Sequence, residues 1–123
     1  MALDLLMGTQ STQISTETGY RFDDVDSRSI SIVSQTLFVE ITGREMNTDD
    51  FASLNEMMRF PPQAIVAGMI ASAIRNQKTP INSFRYFQNA IREMAETQRA
   101  GANLTAYSTR MMAELRRRKA KRQ

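Results

Sequence analysis

The apolar residues of this chain recur at steps of three and four, and each run is closed by glycine or proline. That pattern admits helices of ordinary length and little else. Ile30, Val33, Leu37, Phe38 and Ile41 form one stripe, predicting a helix from about Ser27 to Ile41 that ends at Gly43. Thr48 is the expected N-cap of a second helix, with Asp49 and Asp50 against the first-turn dipole and Phe51, Leu54, Met57 and Met58 facing inward. Pro61 and Pro62 stop it. Pro62 also suits the first position of a third helix reaching about Asn76, with Ile65, Val66, Met69, Ile70 and Ile74 as its apolar set. Ala67, Gly68, Ala71 and Ala73 would let neighbouring helices approach closely, so this segment is the expected buried centre.

Pro80 marks the next break, after which Asn82 or Ser83 can cap a fourth helix carrying Phe84, Phe87, Ala90, Ile91 and Met94 to about Arg99. Gly101 to Asn103 reads as a turn. A fifth segment, roughly Leu104 to Arg118, brings Tyr107, Met111, Met112 and Leu115 onto one side before dissolving into basic residues. No strand-like alternation of useful length occurs. The expected fold is all-α: a compact bundle of four to five helices over 27–100, a flexible acidic arm over 1–26, and a basic helix and tail over 101–123. The arm is expected to be largely disordered between Gly8 and Asp26, where apolar residues are scattered singly among Ser, Thr, Gln and Asp.

Several function classes are excluded by composition. The chain has no cysteine and no histidine, which removes thiol and imidazole catalysis, zinc fingers and haem ligation. No phosphate-binding glycine loop, nucleophile elbow or ordered carboxylate pair stands out, so no enzyme, metal or cofactor is expected. The longest apolar stretch, around Ala64 to Ile74, falls short of the roughly 20 residues that a membrane span needs. A soluble, cytoplasmic protein is the expectation.

The net charge of +3 conceals a gradient. Residues 1–26 carry −4, residues 27–100 carry +1, and residues 101–123 carry +6. The basic end is concentrated in Arg116, Arg117, Arg118, Lys119, Lys121 and Arg122, following Arg110. Cations in such a cluster displace counterions from phosphates, and six contacts to a single strand would give a log–log salt slope of about −4. The competing reading is a solvated, solubilising tail. Arg85, Arg92 and Arg99 recur every seven residues, which on one helix would set three guanidiniums in a row about 10 Å apart. Gln88 and Asn89 lie beside them and can bond sugars or base edges. A plain solvated face, with Arg92 paired to Glu96, is the alternative. Tyr86 lies off the apolar stripe; burial is expected, whereas exposure would offer a face for an unpaired base.

Residues from about Ile30 to Met94 resemble the helical domain of the DnaD-like primosomal replication proteins. The likeness culminates in Ser83 to Met94, where Tyr86, Phe87, Ala90, Ile91 and Met94 stand at the positions of that family's Tyr-Ile, Ile-Leu and Trp pattern. Met94 replaces the tryptophan. The resemblance implies a replication initiation or helicase-loading accessory of phage, plasmid or mobile-element type. Such proteins bind DNA, single-stranded DNA included, engage a helicase or initiator, self-associate and catalyse nothing. No membrane partner is expected. Two rivals remain open: a protein-interaction adaptor using methionine and aromatic surfaces, and a helix-turn-helix-like regulator built on the third and fourth helices.

Overall fold

The computed structural model describes residues 22–122, with the Arg122 side chain left aside. The arm expected over 1–26 thus lies outside the described residues except for its end. There Phe22–Asp24 forms a 3-10 turn, and Phe22 and Val25 are buried in the core. The packed module therefore extends at least to Phe22, because these two apolar side chains find a covered site beside the fifth helix and Gln63 donates a 2.7 Å hydrogen bond to the Val25 carbonyl.

Five α-helices follow: α1 (Ile30–Thr42), α2 (Thr48–Met57), α3 (Pro62–Arg75), α4 (Gln88–Arg99) and α5 (Leu104–Arg122). No strand occurs among the described residues. Nor is any described helix long and apolar enough to cross a membrane.

Local chemistry sets the boundaries. Asp26 accepts from the Arg28 and Ser29 backbone N–H groups at the approach to α1, which in turn hold its carboxyl below the usual range. Gly43 closes α1 at φ +80°, its N–H donating to the Val39 carbonyl. The cap of α2 is Asn47 rather than Thr48. Asn47 is extended, accepts from the Asp50 N–H, and donates its own N–H to the Asp50 carboxylate, a reciprocal box that Thr48 could not make one residue later. This phasing turns Asp50, Leu54 and Met57 inward and leaves Phe51, about 100° further round, 39% exposed instead of buried.

Helix α3 is the buried centre. Every residue from Ala64 to Ala73 is buried, and α4, α5 and α1 all pack against it. Helices α3 and α4 approach closely at Gly68, where even a β-carbon would lie 2.5 Å from the Ile91 Cα. Beside this contact Phe38, Phe84 and Phe87 make a three-ring cluster, with centroids 5.3–6.4 Å apart.

Candidate nucleic-acid interface

The segment before α4 is the first departure from the expected surface. Phe84–Phe87 is a 3-10 turn, and α4 begins only at Gln88. With three residues per turn, Phe84 and Phe87 eclipse and both enter the core, which forces Arg85 and Tyr86 outward. Tyr86 is 63% exposed, against the expected burial. Arg85 is exposed as well, but it stands outside α4, so the expected row Arg85–Arg92–Arg99 does not run along a single helix.

A buried carboxylate holds this turn in place. Asp50 accepts from the Phe84 N–H at 2.9 Å and from the Arg44 guanidinium at 2.8 Å. Arg44 also lies 4.9 Å over the Phe38 ring and donates to the Asn82 carbonyl. Burial pushes the Asp50 carboxyl up, but the bonds from Arg44, Asn47 and Phe84 outweigh it, and the net shift is downward. The α1–α2 connection is thereby tied to the turn that presents Arg85 and Tyr86.

On α4, Arg92 and Asn89 are exposed and hydrogen-bonded to each other at 3.2 Å. Arg99 pairs with Glu96 at 2.7 Å, so Glu96 serves Arg99 and not Arg92. Gln88 turns toward α2, its amide donating to the Ser53 carbonyl and the Glu56 carboxylate. Its amide nitrogen is therefore engaged with α2.

The basic segment is the second departure. It does not dissolve after Arg118; α5 continues to Arg122. Leu104, Ser108, Met112 and Leu115 bury one stripe of the helix against the module. Past Leu115, polar anchors continue what apolar burial began. Arg116 grips Glu40 with two bonds of 2.7 and 3.1 Å, and the Lys119 ammonium donates to the Glu40 carbonyl near the end of α1. A cation at a helix C-terminus is favoured by the helix dipole. Arg117 and Arg118 both bond Glu114, which brings its carboxyl down to about 2.

The opposite side of α5 presents Arg110, Arg117 and Lys121, all exposed and interleaved with exposed Ala106, Ala113 and Ala120. At 1.5 Å per residue the three cations are spaced about 10 and 6 Å along the axis. Arg110 lies 6.0 Å from the Tyr107 ring centroid. Small alanines leave the row unobstructed, so a polyanion could approach the helix closely.

Sequence reasoning missed Arg75, Lys78, Glu40 and the Asp50 hub. Arg75 pairs with Glu93 at 3.0 Å, and Lys78 is exposed in the connection after α3. Glu40 and Arg116 lie far apart in the chain, so no local spacing announces their pairing. The Asp50 role had one legible trace, the Asn47-x-x-Asp50 box. No group of three acidic side chains that could hold a metal ion is found among the described residues. Comparison with protein-family models, curated proteins and solved structures finds no match.

Proposed function

We propose that this chain is a non-enzymatic DNA-binding accessory of the DnaD-like type, acting in replication initiation or helicase loading. It holds single-stranded or distorted DNA against the outer face of α5, with Tyr86 and Arg85 as a second contact. The observation that carries the reading is the row Arg110, Arg117 and Lys121 on a helix fixed at both ends, by Leu104 and Met112 in the core and by Arg116 on Glu40. A row fixed before binding loses less side-chain and backbone freedom when it meets phosphates than a loose tail would.

The internal pairings lower the expected electrostatic yield. Arg116 is engaged with Glu40, and Arg117 and Arg118 share the Glu114 carboxylate, so the set Arg110, Arg117, Arg118 and Lys121 keeps a net charge of about three. About three neutralised phosphates give a log–log salt slope of about −2, and binding falls roughly 15-fold between about 50 and 200 mM salt. Helicase or initiator contact and self-association belong to the same proposal; the exposed Ile32 and Val39 on the outside of α1 offer an apolar face for such contacts.

A helix-turn-helix reading is not favoured, since residues 76–87 separate α3 from α4 and α3 is buried over most of its length. Removing residues 110–123 would be an unsuitable test, because Met112 and Leu115 belong to the core. The triple substitution Arg110→Ala, Arg117→Ala, Lys121→Ala leaves the packed stripe intact. Fluorescence anisotropy with a labelled single-stranded oligonucleotide should show binding by the wild type at low salt and its loss in the triple variant, at unchanged melting temperature. Equal binding by both proteins would refute the role of α5.

A further inference from the structure

A groove of about 510 Å³ lies where the α2–α3 connection meets the last turns of α4. Phe60, Pro61 and Ala95 form its apolar wall and Arg59, Gln98 and Arg99 its polar one, with no carboxylate in the lining. The two arginines are not equivalent. Arg99 is paired with Glu96, whereas the exposed Arg59 side chain has no ion pair or hydrogen bond among the described residues and only lies over the Phe60 ring, 5.0 Å from its centroid. The fitting occupant brings aliphatic side chains for the apolar wall and one carboxylate for Arg59. A nucleic-acid strand suits the groove less, because Arg59 already caps the one aromatic ring and the rest of the apolar wall is aliphatic.

The chain itself carries such a segment and brings it near. Phe22 and Val25 are buried, and the Val25 carbonyl accepts a 2.7 Å hydrogen bond from the side chain of Gln63, two residues after Pro61 of the groove wall. Residues 1–21 precede this anchor and contain one apolar run, Met1-Ala-Leu-Asp-Leu-Leu-Met7, in which Asp4 is the only charged side chain. Residues 8–21 join the run to Phe22. A chain of that length spans about 20 Å on average as a coil and up to about 45 Å when extended, which brings the groove within reach.

We propose that the groove at Arg59, Phe60, Pro61 and Ala95 is a docking site for the Met1–Met7 segment of the same chain, with Asp4 on Arg59 and the leucines against the apolar wall. A tethered segment meets its groove at an effective concentration of roughly the millimolar order, so a modest intrinsic affinity suffices to keep the site filled. Any other acidic, leucine-rich peptide must displace it. The site involves no residue of α5 and does not rest on the nucleic-acid reading.

The chain contains no cysteine, so disulfide trapping in the full chain reports this contact without background. Met7→Cys is combined with Gln98→Cys, and in a control with Ile32→Cys, which is 66% exposed on the outside of α1. Gln98 can be replaced at little cost, because its buried side-chain oxygen has no hydrogen-bond partner among the described residues. Arg99→Cys, exposed on the same wall, is the second trapping position should Gln98→Cys lower the melting temperature. Under mild oxidation the expected product is an intrachain disulfide between positions 7 and 98, formed about tenfold faster than in the control. Asp4→Arg should slow it severalfold, and Asp4→Arg with Arg59→Asp should restore it. Equal rates for the groove and control pairs overturn the docking site. A disulfide joining two chains places the segment of a second copy in the groove and overturns the intrachain assignment. Fast trapping that Asp4→Arg leaves unchanged overturns the pairing of Asp4 with Arg59.

Discussion

Gly68→Ala perturbs the α3–α4 packing at its tight contact with Ile91. A β-carbon at position 68 would meet Ile91 Cα and Cγ1 at 2.5 Å and Ile91 N at 2.6 Å. Two of those atoms are backbone, so no rotamer change relieves the contact, and α4 must retreat by about 1 Å to restore ordinary van der Waals separation. Alanine gains about 1 kcal/mol over glycine in a helix interior. Overpacking against backbone belongs at the upper end of the usual penalty, about 3 kcal/mol. The net expectation is a loss of about 2 kcal/mol, seen as a urea midpoint lower by roughly 1–2 M. Equilibrium urea unfolding followed by circular dichroism measures it. A variant as stable as the wild type, or more so, would refute the close approach of α3 and α4.

Three other substitutions probe the supports of the site. Asp50→Asn should cost about 1–3 kcal/mol near neutral pH, by weakening the bonds from Arg44, Asn47 and Phe84. Because the Asp50 carboxyl is lowered in the folded state, its contribution is complete above the ordinary aspartate range and is lost as pH falls through the lowered value. Urea curves at neutral pH and at about pH 3 should therefore show the gap between wild type and variant narrowing on the acid side. Arg116→Ala should cost about 1 kcal/mol and speed amide exchange in the last turns of α5, since the Glu40 pair is only 23% exposed on each side. Gly101→Ala should cost about 1 kcal/mol in a thermal melt through its φ of +104° alone, as nothing lies within 4 Å of the added carbon.

Much of the fold was legible because its signals are local. The stripes of α1, α3 and α5, the Gly43 stop, the Pro62 start and the small residues at the α3 contact all act within a few residues, and the structure carries them out. What escaped sequence reading depends on distant partners or on a finer choice of helix type. Phe84 and Phe87 fit an α-helical stripe as well as a 3-10 one, and only the tether of Phe84 to Asp50, more than thirty residues earlier, fixes the tight turn that exposes Tyr86. The basic segment reads as a tail because its residues carry charge and little apolar surface. Glu40, on another helix, is what makes Arg116 and Lys119 part of the folded body.

The proposed nucleic-acid role of α5 is tested most directly by how binding to a single-stranded oligonucleotide varies with salt. Titrations across a range of salt concentrations should give a straight log–log plot with a slope of about −2, reflecting about three phosphates met by the outer face of α5. Absence of binding in dilute buffer, or an affinity indifferent to salt, would contradict it.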